Sequence, residues 1–123
     1  QHTRRSDGVG TAIEAAAGYG KLLHGEAISL GLRAAAWLST QMSGLNAQEH
    51  DRIVNLLKRF ELPVTLGEEF STEEIMRIAR MDKKFEKGRI RFVLLKKAGE
   101  AYLSKDVLEG HLINALDEIR KPV

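Results

Sequence analysis

Residues 24–41 read HGEAISLGLRAAAWLSTQ. As a helix, this stretch would carry apolar side chains around most of its circumference, and no proline interrupts it. A helix that is apolar on nearly every side belongs in the interior of a domain, and its alanines let neighbouring backbones approach closely. We therefore expect a buried central helix that ends before Gly44, with the remaining elements packed around it.

Two helices are predicted on either side of this central one. The Ala-rich run Thr11–Ala17 has high helix propensity and stops at Gly18. After the central helix, Asn46 followed by Glu49 has the spacing of an N-cap and its partner, and Pro63 ends the helix that they open. One apolar stripe is predicted on that helix, formed by Ile53, Leu56, Leu57 and Phe60.

The second half of the chain contains two more capping patterns. Ser71 with Glu74 opens a short helix, and Asp106 with Glu109 is predicted to cap the last one. The predicted apolar stripe of the last helix consists of Leu108, Leu112, Ala115, Leu116 and Ile119.

One segment has the pattern of a β-strand rather than of a helix. Residues Arg89–Leu95 are rich in β-branched and apolar side chains, and Glu100–Leu103 could return as the partner strand of a hairpin. A two-stranded hairpin is marginally stable alone, so it should lie on the bundle or on another domain. The predicted fold is mainly α: a multi-helix bundle with one small β-hairpin.

Composition limits the class of protein. The chain has 123 residues and 13.7 kDa, which is the size of one domain, and its formal net charge of +2 is too balanced for a nucleic-acid binder. It contains no cysteine, so thiolate chemistry and disulfides are excluded. No signal peptide is visible, and no apolar run approaches the ~20 residues of a membrane span. We expect a cytoplasmic domain that contacts neither membrane nor nucleic acid.

Few side chains stand out as candidates for chemistry. His50 is expected to be an exposed bystander, and His111 to be partly buried and hydrogen-bonded beside the stripe of the last helix. His24 follows a glycine-containing break at the start of the central helix, from which an imidazole could point into a cleft. The segment Met81–Arg89 carries six charged residues among nine, and a lysine there could meet a phosphate.

Four stretches together resemble the 3-dehydroquinate synthase family. They are GTAIE at Gly10–Glu14, GYGKLLHGEA at Gly18–Ala27, MDKK at Met81–Lys84 and GRIRFVLL at Gly88–Leu95. Their order and separation are similar to those of the family's C-terminal helical domain from Gly10 to about Ile119, which is nearly the whole chain.

The resemblance implies a metal- and NAD-dependent carbon–oxygen lyase of the shikimate pathway, which leads to the aromatic amino acids. Enzymes of this family convert a seven-carbon phosphorylated keto sugar acid, DAHP, to 3-dehydroquinate with loss of phosphate. Their N-terminal domain binds NAD, and their helical domain supplies much of the site for the substrate and for zinc or another divalent metal. By this resemblance, His24 is a zinc ligand and Lys83, the first lysine of DKK, contacts the substrate phosphate.

The chain departs from the family pattern before the first helix. That pattern is Gly-His-Thr-x-Gly-His-Ala-Ile-Glu, whose first histidine binds zinc and whose second lies in the active site. Here Thr11 occupies the second position. The first is either Asp7, by ungapped counting, or His2, if Gln1-His2-Thr3 has been displaced by an insertion. The family's third ligand, a glutamate, belongs to the N-terminal domain.

These observations lead to two function hypotheses. In the first, residues 1–10 are a flexible or altered segment, and residues 11–123 are the C-terminal domain of a 3-dehydroquinate synthase without its NAD-binding domain. Such a chain would be inactive in isolation, would hold neither zinc nor NAD tightly, and would form homo-oligomers through the surface left uncovered. In the alternative, the chain is a free-standing, non-catalytic homologue that serves as a binding or interaction module, which the Thr11 replacement motivates.

Overall fold

The computed structural model describes residues 24–81, 85–97 and 99–123. Within them lie four helices: α1 (His24–Met42), α2 (Ala47–Arg59), α3 (Thr72–Arg80) and α4 (Glu109–Glu118). Three strands form one antiparallel sheet in the order β1-β2-β3: β1 (Phe85–Glu86), β2 (Arg89–Lys97) and β3 (Glu100–Leu108). The predicted mainly helical fold with a hairpin is confirmed, and the two-residue strand β1 is an addition to it.

Helix α1 lies at the centre of the described fold, as its sequence predicts. It contacts β2, α4 and α2. The main core holds fifteen buried residues, drawn from α1, the loop after α2, α3, the two long strands and α4. Ten of these side chains are large and fully buried: Leu30, Leu38, Leu66, Ile75, Met76, Ile90, Leu94, Leu112, Leu116 and Ile119. Burying each large apolar side chain contributes about 1.5–3 kcal/mol, so this cluster is the main source of stability.

The hairpin β2–β3 packs with one face on this core. Ile90, Phe92 and Leu94 alternate toward it, while the residues between them are exposed or half-buried. The backbone N–H of Leu95 donates to Ser39 Oγ at 2.8 Å, which fastens the hairpin to α1. The expectation that the hairpin lies on the bundle is therefore confirmed.

Two of the three predicted helix starts are correct. The N–H of Glu49 donates to Asn46 Oδ1 at 2.8 Å, and the N–H of Glu74 donates to Ser71 Oγ at 3.2 Å. Each interaction lies within four consecutive residues, so it can form whenever the local helix forms.

The predicted start of the last helix is wrong. Asp106 lies in β3, and α4 begins at Glu109. Ile90 opposes Val107 and Phe92 opposes Ser104, so a bulge at residues 105–106 lets β3 continue to Leu108. Leu108 is consequently 42% exposed and does not belong to the buried stripe, whose other four members are buried as predicted.

The predicted stripe of α2 is also partly wrong. Val54 and Leu57 are buried, whereas Leu56 is 52% and Phe60 69% exposed. The buried face is rotated by about one residue because α2 packs against Val64 in its own small cluster rather than against the main core. Leu56 and Phe60 thus remain at the surface.

Candidate active site

The start of α1 carries His24, the predicted metal ligand. His24 is the first residue of the helix, and Ala27 is already fully buried. Two turns of α1 are fixed against the loop that follows α2: Ser29 Oγ donates to the carbonyl of Pro63 at 2.6 Å, and Arg33 donates to the carbonyl of Val64. These contacts hold the first half of α1 rigidly behind His24.

Arg33 is the most buried charged residue in the described part of the chain. It is 4% exposed, and its guanidinium donates to four backbone carbonyls. Three of these belong to the end of α4 and the residues after it: Glu118 at 3.3 Å, and Ile119 and Lys121 at 3.1 Å each. Burial lowers the pKa of Arg33, and the charge of Glu118 opposes that shift. A cation here satisfies the carbonyls at the end of α4 and complements its dipole.

The segment between α3 and β2 is the second part of the candidate site. Helix α3 ends at Arg80, and β1 pairs with the beginning of β2 through Phe85↔Ile90 and Glu86↔Arg89. Lys87 and Gly88 form the turn between these strands, with φ of 55° and 77°. Both residues of a two-residue hairpin turn adopt positive φ in the mirror-image turn types that suit sheet twist.

The start of α4 lies against both ends of this segment. Arg80 Nη2 donates to Glu109 Oε1 at 2.9 Å, and the backbone N–H of Glu109 donates to the carbonyl of Gly88 at 3.2 Å. The Arg80 hydrogen bond lowers the pKa of Glu109, and the same bond raises the pKa of Arg80. Beside them, the N–H of Leu108 donates to His111 Nδ1 at 3.0 Å, as expected of a half-buried, hydrogen-bonded histidine.

These contacts establish the relative direction of α1 and β2. Helix α4 is about 15 Å long. Its first residue contacts Gly88, and the residue after its last turn contacts Arg33. Along α1, Ser39 lies about 9 Å beyond Arg33. Ser39 contacts Leu95, which lies about 23 Å from Gly88 along the strand. These approximate lengths agree when α1 and β2 run in the same direction. The start of α1 therefore lies toward the sheet end that carries the Gly88 turn.

The predicted site residues themselves fall largely outside the described residues. Thr11, His2, Asp7 and Lys83 lie outside them, and of His24 only the backbone is described. Among the described residues, no three His, Asp or Glu side chains cluster in a way that could hold a metal ion. The assignments of ligands and of the phosphate contact therefore stay predictions.

His50 differs from its prediction. Its side chain is 20% exposed, and Nδ1 lies 3.0 Å from Asp51 Oδ1, so it is partly buried and hydrogen-bonded rather than an exposed bystander. No metal-binding group includes it among the described residues.

Sequence reasoning missed Arg33, Arg80 and Glu109. A signal existed for Arg33, because a single arginine within an Ala-rich, nearly uncharged helix must find buried acceptors. No comparable signal existed for Arg80 and Glu109, which are 29 residues apart and meet only through the tertiary fold.

Comparison with known proteins places this fold and these motifs in one family. A model described as 3-dehydroquinate synthase C-terminal matches residues 7–85. The chain belongs to the 3-dehydroquinate synthase family. The matched region contains His24 and Lys83, and it includes three of the four stretches on which the resemblance rests.

Curated members of the family resemble the chain over most of its length. The 3-dehydroquinate synthase of Hydrogenovibrio crunogenus is 40% identical over 111 residues, which are 90% of this chain and 31% of that protein. The enzyme of Acidithiobacillus ferrooxidans is 43% identical over 98 residues, 80% of this chain and 27% of that protein. The chain thus spans about three tenths of the length of these relatives.

A solved structure shares the fold. A 2-deoxy-scyllo-inosose synthase, crystallised with carbaglucose-6-phosphate, NAD+ and Co2+, matches with a TM-score of 0.75 and 20% sequence identity. The match covers 90% of this chain and 33% of that one. At this identity the likeness establishes the arrangement of helices and strands. Within the described residues, no helix is both long and apolar enough to cross a membrane.

Proposed function

We propose that this chain is the C-terminal part of an enzyme that converts DAHP to 3-dehydroquinate with elimination of phosphate. The observation that carries the proposal is the family match over residues 7–85, which spans both His24 and Lys83. The curated relatives that match at about 40% identity bear the name of that activity. The shared fold of the inosose synthase, crystallised with a sugar-phosphate analogue, is consistent with it.

The geometry of the described residues supports a placement of His24 and Lys83 close to one another. The contacts of α1 and β2 agree with the two elements running in the same direction, and Lys83 lies two residues before β1, which pairs with the beginning of β2. His24 and Lys83 are then expected at one end of the fold, on either side of a common cleft. In this proposal, α1 carries the residue that faces the metal, and the residues before β1 carry the one that faces the phosphate.

Each residue has a defined role in this proposal. His24 is a metal ligand, together with either His2 or Asp7, and the remaining ligand comes from the N-terminal domain. Lys83 holds the phosphate that leaves, since a cationic donor stabilises the negative charge that develops on a departing group. Among the described residues, no group of His, Asp and Glu forms a metal site by itself.

The proposal requires a partner domain for turnover. NAD would be held by an N-terminal domain outside these 123 residues, and these residues alone would bind neither zinc nor NAD tightly. It would be inactive in isolation, and its uncovered apolar surface would favour homo-oligomers. We place the enzyme in the cytoplasm, where its small phosphorylated substrate would be the only other partner required.

A chimera tests the proposal. The C-terminal part of the H. crunogenus enzyme, which matches this chain over 111 residues, is replaced by this chain, with and without Thr11→His. Phosphate release is measured with DAHP, NAD and zinc. We expect no release by the chain alone and release by the Thr11→His chimera. In that chimera, His24→Ala and Lys83→Met should each lower the rate by about 100-fold or more.

The neighbouring Lys84→Met is the matched control, because it removes the same charge one residue away from the predicted contact. Equal losses for Lys83→Met and Lys84→Met would contradict the role of Lys83. A Thr11→His chimera that folds and binds NAD but releases no phosphate would favour the alternative, a non-catalytic binding module. Thr11 itself is the observation that motivates this alternative.

A further inference from the structure

Helix α2 presents an apolar strip on its outer side. Leu56 and Phe60, one helical turn apart, are 52% and 69% exposed, whereas Val54 and Leu57 of the same helix are buried. Ile53 is half-buried at the edge of the strip, where it packs against the small cluster beneath α2. Adjoining apolar side chains with this exposure are typical of a surface that a partner covers.

The strip lies in a shallow depression of the protein surface. Its volume is about 380 Å³, and it is lined by six residues of α2: Glu49, Arg52, Ile53, Asn55, Leu56 and Arg59. A depression between the side chains of one helix is a groove into which a second helix can pack its own side chains. The occupant that fits this surface is therefore a helix with apolar side chains at matching intervals.

The charges beside the strip make α2 complementary to itself. Glu49 lies in the first turn of the helix and Arg59 in its last turn, and both line the same depression as Leu56. From the point midway between Ile53 and Leu56, Glu49 lies about 8 Å toward the start of the helix and Arg59 about 7 Å toward its end. A two-fold rotation about that point brings each glutamate opposite the arginine of the other copy, and each isoleucine opposite a leucine.

We propose that the outer face of α2 is a self-association surface, on which a second copy of this chain packs its own α2 in the antiparallel direction. One Glu49–Arg59 pair between the copies then flanks each end of the apolar contact. A parallel arrangement would instead place glutamate beside glutamate and arginine beside arginine, which repel each other. The inference does not rest on the proposed activity, because it uses the residues of α2 alone.

The size of the surface sets the strength and the stoichiometry of the contact. Stable interfaces bury about 1,600 Å² in total, and one pair of helix faces is smaller than that. We therefore expect a reversible association with a Kd on the order of 10 µM. Because both copies use the same patch, the contact closes at two chains and leaves no free patch for a third.

Sedimentation equilibrium of the complete 123-residue chain over a range of concentrations measures the Kd. Glu49→Arg and Arg59→Glu each replace two attractive pairs by repulsive ones, so each should weaken the dimer about tenfold. The double variant Glu49→Arg/Arg59→Glu restores opposite charges across the axis and should recover the affinity to within about threefold. Both of its charges oppose the dipole of α2, so a recovery cannot come from a more stable helix. Circular dichroism verifies that each variant is folded.

Lys105→Glu is the matched control, because it changes the net charge by the same amount as Arg59→Glu at an exposed position on β3. It should leave the Kd unchanged. A wild-type chain that stays monomeric at about 200 µM would overturn the proposal and assign the strip to a different partner. A dimer that tolerates both single changes uses another surface, and a double variant no tighter than the single ones contradicts the antiparallel arrangement. These outcomes leave the proposed function untouched, since phosphate release by the chimera tests it separately.

Discussion

Arg33 shows how a single side chain can hold several parts of a small fold together. Its guanidinium joins α1 to the loop after α2 and to the end of α4 through four backbone carbonyls. Without the guanidinium, the carbonyls of Glu118 and Ile119 keep the N–H groups of Lys121 and Leu66, whereas those of Val64 and Lys121 lose this donor. A buried acceptor left without its donor costs more than the bond itself contributes.

The first prediction is that Arg33→Met destabilises the chain by about 3 kcal/mol, since a buried network loses its donor. Urea unfolding followed by the fluorescence of Trp37, the single tryptophan, measures the change. Arg77→Met, at an exposed position on α3, is the control and should change stability by less than about 0.5 kcal/mol. A loss below 1 kcal/mol for Arg33→Met would show that the carbonyls find other donors.

Gly88 is a position where the backbone requires glycine. Its φ is 77°, and nothing lies within 4 Å of the place that a Cβ would occupy, so conformation rather than space is limiting. Gly88→Ala should therefore destabilise the chain by about 1 kcal/mol. Gly110→Ala is the matched control: it also has open space, but it lies in α4, where alanine should stabilise by about 0.5–1 kcal/mol. Thermal unfolding of the two variants should shift in opposite directions, and equal shifts would contradict this interpretation.

The elements that could be predicted are those whose signals are local. The caps at Asn46 and Ser71 and the central helix at residues 24–42 follow from neighbouring residues, and the structure confirms them. Asp106 had the same local signal, but β3 extends past it because Val107 gains a buried place opposite Ile90. Pairing between strands that are distant in sequence overrode the capping preference.

The difference between the real cap at Asn46 and the failed cap at Asp106 can be measured by removing each side chain. Asn46→Ala should destabilise the chain by about 1 kcal/mol because the N–H of Glu49 loses its acceptor. Asp106→Ala should change stability by less than about 0.5 kcal/mol, since its side chain is exposed and its nearest ionic partner, Arg89, is 3.9 Å away. Chemical denaturation of both variants tests the pair, and a larger loss for Asp106→Ala would restore its capping role.

At the scale of the whole molecule, the sequence reveals the family more readily than the site. The motifs around His24 and Lys83 identify the C-terminal part of 3-dehydroquinate synthase, and the family match confirms it. The contacts of Arg33 and of the Arg80–Glu109 pair join elements that are 29 or more residues apart. The sequence could suggest that Arg33 needs buried acceptors, but no local pattern identifies the partners in these contacts, so only the fold reveals them.

The exposed face of α2 is predicted to mediate self-association of the chain. Leu56 and Phe60 lie one helical turn apart at 52% and 69% exposure, and adjoining apolar side chains of this size favour association. We expect light scattering to show a dimer or a larger species, and Phe60→Glu to shift it toward monomer. Met81→Glu is the control, since Met81 is equally exposed, at 70%, but lies at the end of α3. A monomeric wild-type chain would contradict the prediction.

The last few residues of the chain are fastened on several sides. Arg33 binds the carbonyls of Ile119 and Lys121, Arg120 donates to the carbonyls of Gly67 and Phe70, and Lys58 reaches the terminal residue. A tag fused directly after Val123 would lie next to these hydrogen bonds and could disturb them by steric contact. Removing residues 119–123 would eliminate them. Variants of this chain should therefore keep residues 119–123 unchanged.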